Sequence, residues 1–186
     1  MLLDLTRPWK TFVDLFSFCV CVWRDFVSDV TMTLEDVSVS SDRMEQLGRA
    51  LEEVLVSARL RESLTVGVYE SAKLMNADPD SVRLCVLAAD VEDEDDVALQ
   101  IHFTLLQAFC RDYDVNMVRL AGVARLAQLI DDGGGGGGEP RDLHCILVTS
   151  PPMQPLECPA LRDVIGFCEE SRGKNQRVPR VDLMDR

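Results

Sequence analysis

The sequence predicts an α/β fold, with a mostly parallel or mixed sheet and helices on both of its faces. Three observations carry that reading. From Val82 onward, short apolar runs alternate with amphipathic helical patterns. Each run is bounded by turn residues or charge, which is the pattern of a strand buried on both faces. The hydrophobic fraction of 47% is that of a globular chain, and 186 residues are enough for one domain plus tails.

The chain begins with a segment that fits none of this. Phe12 to Trp23 is largely apolar and follows Arg7 and Lys10. Asp14 interrupts it, no small-x-small cleavage site follows, and a membrane span would need about 20 apolar residues. Residues 1–31 are read as an N-terminal extension, disordered or not native, ahead of a second start at Met32. The domain is expected over 32–186, with a flexible glycine-rich loop at 131–140.

Within that domain the elements follow in order. Asp42-Arg-Met-Glu45 has capping-box spacing and opens a helix with Met44, Leu47, Leu51, Val54, Leu55 and Ala58 on one face. Leu64 to Met75 reads as a second helix, with Thr65 as its cap and Gly67 weakening its first turn. Asp78-Pro-Asp80 is a turn, and Val82 to Ala88 a buried strand. A long helix starts at Val97 and ends between Cys110 and Tyr113. Val115 to Leu120 is a strand; Val123, Leu126, Ala127 and Ile130 then mark a short amphipathic helix. Leu143 to Thr149 is a strand, and Pro159 opens a helix that Gly173 closes. Val178 to Leu183 contains Pro179, so it is expected at a sheet edge.

The most informative junction lies in the middle. Six of the seven residues from Asp90 to Asp96 are acidic, and they run into a helix that is apolar on nearly every side. Asp95 or Asp96 would cap that helix and favour its dipole. Glu92, Asp93 and Glu94 gain little that way and repel one another, so stability does not account for all of the acids. The helix has one narrow polar stripe, Gln100, Thr104, Gln107 and Arg111. So little polar surface implies burial on most sides. Two readings stand: a well-covered helix within one domain, or a helix part of which, around Leu99, Phe103 and Leu106, packs against a second copy or a partner.

Several function classes are excluded. A formal net charge of −13 repels nucleic acid and anionic membranes. The densest basic cluster is only Arg172, Lys174, Arg177 and Arg180. The seven cysteines form no CxxC pair and no ligand spacing with histidine; reduced thiols are expected, not zinc. The acidic run lacks the EF-hand pattern. The six glycines Gly133–Gly138 follow a helix and precede a strand, the wrong order for a phosphate loop, and read as a linker. His102 and His144 have no partners for a triad and are read as structural. Tyr69 and Lys73 have dehydrogenase spacing but no glycine-rich turn before them. No catalytic, cofactor-binding or metal residue is expected, and no cofactor.

Longer stretches resemble a known family. They are Met32-Thr-Leu-Glu-Asp36, Leu64 to Asn76, Asp78-Pro-Asp-Ser81, Val97 to Cys110, Asp142-Leu-His-Cys145 and Cys168-Glu-Glu-Ser-Arg172. They resemble the growth arrest and DNA-damage-inducible stress proteins. Leu74-Met-Asn76 and Arg125-Leu-Ala-Gln-Leu129 look most like the beta branch. The resemblance implies a three-layer α/β/α sandwich with four or five strands, like ribosomal and kink-turn RNA-binding proteins. It implies a non-enzymatic protein of nucleus and cytoplasm that binds and activates a MAP kinase kinase kinase in p38/JNK signalling. Further implied partners are a JNK-branch MAP kinase kinase, cyclin-dependent kinase with cyclin B, proliferating cell nuclear antigen and a cyclin-dependent kinase inhibitor. Homo- or hetero-oligomers within the family are implied too, and no membrane. Inhibition of the JNK-branch kinase or of the cyclin-dependent kinase is the alternative role. An RNA-binding module is a remote one. Carried over by position, Glu92, Asp93, Glu94, Asp95 and Asp96, with the helix from Val97, are the partner-contacting segment. The chain departs from the family pattern at Arg111, at Arg177 and in the glycine run.

Overall fold

The structure, a computed structural model, describes residues 41–130, 142–150 and 158–183. The extension at 1–31 and the loop at 131–140 lie outside the described residues. Among the described residues there are five α-helices and a five-stranded sheet. In chain order these are α1 (Ser41–Leu60), β1 (Leu64–Val66), α2 (Val68–Ala77), β2 (Val82–Ala88), α3 (Val97–Asp112), β3 (Asn116–Ala121), α4 (Val123–Ile130), β4 (Cys145–Thr149), α5 (Pro159–Gly173) and β5 (Arg180–Asp182).

The sheet is mixed and ordered β1-β4-β2-β3-β5. β4 runs antiparallel to both β1 and β2, whereas β3 runs parallel to β2 and to β5. The central strand β2 is buried along almost its whole length, as its unbroken apolar sequence requires. Leu84, Val86 and Ala88 face a core closed by α1, α4 and α5. Cys85 and Leu87 face a second core closed by α2 and α3. This is the expected three-layer α/β/α sandwich. β5 sits at the expected edge.

Two expectations at the N-terminal side are corrected. The segment read as one helix from Leu64 to Met75 is a short strand followed by a helix. Gly67 separates them with φ of 112°, a conformation that costs glycine little and other residues much. Thr65 therefore pairs with Leu147 in the sheet and caps nothing. The capping box at Asp42 is not formed either. Asp42 lies inside the first turn of α1, and Glu45 reaches forward to pair with Arg49. A capping box does exist, at Asp90 and Asp93.

Candidate functional site

Parallel strands β2 and β3 end side by side, and the helices that follow them go to opposite faces of the sheet. β4 begins at this same end, since Ala88 N–H donates to the His144 carbonyl at 2.9 Å. In open α/β sheets this is where ligands bind, because helix N-termini there offer free N–H groups and a positive dipole end.

Here those N-termini are filled by the chain's own carboxylates. α4 starts behind Gly122, which has no side chain to cap with. Asp90, at the end of the neighbouring strand, accepts from Gly122 N–H at 2.7 Å and from Val123 N–H at 3.1 Å. α2 starts behind Gly67, and Asp142 accepts from Val68 N–H at 2.9 Å. α3 is capped locally by Asp96, which accepts from Ala98 and Leu99 N–H at 2.9 and 3.1 Å. An added phosphate would have to displace a carboxylate at each of these three termini.

The acidic run is thus split by role. It forms a 3₁₀ turn, Val91–Asp95, rather than an open loop. Asp93 Oδ2 accepts from Asp90 N–H at 3.0 Å, closing the turn onto the residue that caps α4. Asp96 is the cap expected of Asp95 or Asp96. Glu92 and Asp95 are exposed, and among the described residues no hydrogen bond holds their side chains. The Glu94 side chain lies outside the described ones. Of the five acids expected at a partner site, Asp93 and Asp96 have structural work, while Glu92 and Asp95 face solvent. Asp90, the acid left out of that group, anchors the whole turn. Its three-residue spacing to Asp93, which forms a capping box, was passed over in the sequence, and its reach to Gly122 left no local signal.

Helix α3 also differs from expectation. Leu99, Phe103 and Leu106 were the expected contact residues for a partner. They are buried at 7%, 2% and 2% exposure against Met75, Leu87, Met117 and Leu147 of the same chain. Their spacing, i, i+4 and i+7, fits an inward face, and no second copy can reach them without opening the core. The outward apolar residues are Val97 at 70% and Ile101 at 52% exposure. One turn on, in line with them, Leu105 is half-buried. His102, read as structural, is exposed beside Ile101. Gln100, Thr104 and Gln107 are half-buried, so the polar stripe marks a flank of the helix and not its wet face. Thr104 donates to the Gln100 carbonyl at 2.8 Å, while Gln100 Nε2 is buried without a partner among the described residues.

The remaining chemistry is sparse. His144 lies between Asp142 and Asp93. Burial works upward on the Asp142 carboxyl, yet the N–H groups of Val68 and His144 and the His144 ring together bring it below its usual range. The described cysteines, Cys85, Cys110, Cys145, Cys158 and Cys168, are all free and buried. Cys85 touches the thiols of Cys110 and Cys145; those contacts and its burial raise its pKa well above the usual range. Burial pushes Cys168 up to about 12. Thiols held protonated are poor nucleophiles. Among the described residues no group of side chains could hold a metal ion, and no helix is long and apolar enough to cross a membrane. An open groove of about 360 Å³ lies between α1 and α5, floored by Leu47, Ala50 and Phe167. Arg43 at its rim is tied to Glu170 and sits 5.9 Å from the Phe167 ring centroid.

Fold and site together define a class: a three-layer α/β/α module whose ligand end is sealed from within and whose neighbouring helix shows an apolar strip to solvent. Residues 49–133 match the family described as ribosomal protein L7Ae/L30e/S12e/Gadd45. The chain is 52% identical over 160 residues to growth arrest and DNA damage-inducible protein GADD45 beta of Bos taurus, covering 83% of this chain and 100% of that one. It is 52% identical over 165 residues to the alpha protein of Cricetulus griseus, with the same coverage. Against the gamma protein of Bos taurus it is 51% identical over 158 residues, covering 82% of this chain and 99% of that one. The chain belongs to the GADD45 family, which makes it a growth-arrest and stress-response protein. These three identities do not separate the beta branch from the others.

Proposed function

We propose that the chain is a non-enzymatic adaptor that binds a stress-activated MAP kinase kinase kinase and relieves its autoinhibition. The observation that carries this is the juxtaposition of two unspent features. Glu92 and Asp95 are exposed and serve no internal cap, and they stand directly before the exposed apolar strip of Val97 and Ile101. Charge of one sign beside an apolar strip suits a basic, amphipathic partner segment. The acids raise the association rate and set specificity; the apolar strip supplies affinity. Self-association with family members would use the same strip, so it would compete with the kinase. The JNK-branch kinase kinase and cyclin-dependent kinase roles differ from the leading one in sign and client, not in surface. The remaining partners and the nuclear and cytoplasmic location are carried by the family resemblance alone.

The test is autophosphorylation of the full-length kinase kinase kinase with the full chain added. Wild type should stimulate. E92Q/D95N should bind about 10-fold more slowly at low salt, with the difference shrinking as salt rises. Equal rates at every salt would remove the acids from the site. Failure of wild type to stimulate at all would overturn the leading role in favour of the inhibitory ones.

A further inference from the structure

We propose that the groove between α1 and α5 is a second docking surface, and that its occupant is an acid-flanked amphipathic helix of another protein. The groove lies on the face of the sheet opposite α3. It does not rest on the docking site proposed above, and it can be filled while that site is filled.

The first observation is Gly166. It stands in the middle of α5, where glycine costs stability relative to alanine. Two other helical glycines have a structural reason. A side chain at Gly48 would meet the Asp182 carbonyl oxygen at 2.9 Å, and Gly173 ends its helix. Gly166 is exposed, and a Cβ there would meet nothing within 4 Å among the described residues. Packing therefore does not ask for glycine at this position. The groove does, because Gly166 lines it and a larger side chain would occupy its space. Natural sequences break such local rules mainly at functional sites.

The second observation is shape. Arg43, at the start of α1, pairs with Glu170 near the end of α5. Cys158, just before α5, lies 3.8 Å from Glu53 in the second half of α1. The two helices are therefore antiparallel neighbours, with an open trough of about 360 Å³ between them. Such a trough takes a third helix, whose ridge of side chains settles between the two below. With no side chain at Gly166 and only a methyl at Ala50, the backbone of that helix can come close. Leu47 and Phe167 give it an apolar floor.

The third observation is charge. Arg43 stands at the rim on α1 and Arg162 on α5, and Asp163 is the one acid in the lining. Arg43 shares Glu170 with Lys174. Arg162 is exposed and has no partner among the described residues. With Glu170 and Lys174 included, three cations stand against two acids, on a chain whose net charge is −13. A helix with carboxylates along its flanks fits this rim better than one with lysines. A second copy would bring another strongly acidic chain into contact, so the occupant is foreign.

A soluble library of helical peptides about four turns long tests this, selected on the full chain and then sorted against G166L. Peptides that bind wild type and not G166L should carry glutamate or aspartate beside an apolar seam. R162E should weaken them about 10-fold. G166A should raise Tm by about 2–4 °C, as expected where nothing packs on the helix. A fall in Tm would show that the glycine serves the fold, and would overturn the assignment. So would a selection that yields only peptides indifferent to G166L, or peptides with basic flanks. Sedimentation of the chain alone covers the remaining occupant. Self-association that G166L abolishes would make the occupant a second copy and overturn the foreign helix.

Discussion

The two apolar faces of α3 have similar composition and opposite fates. The inner one, Leu99, Phe103, Leu106 and Cys110, is 7% exposed or less and packs on the sheet. The outer one, Val97 and Ile101, is more than half exposed. Fully burying a large apolar side chain gains about 1.5–3 kcal/mol over leaving it in water. The inner face realises that gain on folding. The outer face retains it for whatever covers it. An apolar residue in a sequence says that it should leave water; it does not say whether its own chain or another supplies the cover.

The comparison can be broken by substitution. F103A should destabilise the chain by about 4 kcal/mol in denaturant unfolding, since it opens a cavity against Leu87 and Met117. A loss near zero would mean that α3 is not packed as described. D90A should cost about 2 kcal/mol, because it leaves the first N–H groups of α4 uncapped and unlatches the acidic turn. V97S/I101S should change stability by no more than about 0.5 kcal/mol, yet weaken self-association in sedimentation experiments. Unfolding by the double variant would show the outer strip to be core. Intact self-association would move the interface elsewhere.

Most elements were legible because their periods are long enough to register. β2 was placed to the residue, and α3, α4 and α5 within a residue or two at each end. β1 was not, since three residues carry no period and helical spacing continues across Gly67 by accident. The face of α3 was illegible for a different reason. Leu99, Phe103 and Leu106 fit one helical stripe, and Val97, Ile101 and Leu105 fit another. Only the position of β2, β3 and α2 decides which stripe turns inward. The split among the acids was half legible. Asp96 follows from cap rules, whereas the tie of Asp90 to Gly122 joins residues 32 apart in sequence and depends on strands lying side by side.

That split gives the acidic run an uneven tolerance of change. Asp90, Asp93 and Asp96 are bound to folding, and mutations there will be purged whatever the partner. Glu92 and Asp95 sit between them, exposed, with nothing among the described residues depending on them. Descendants of this sequence can therefore retune charge at two positions, and with it the choice of client, on a turn whose shape is held constant by its neighbours. Paralogues that share this fold could diverge in whom they serve by drifting at those positions first.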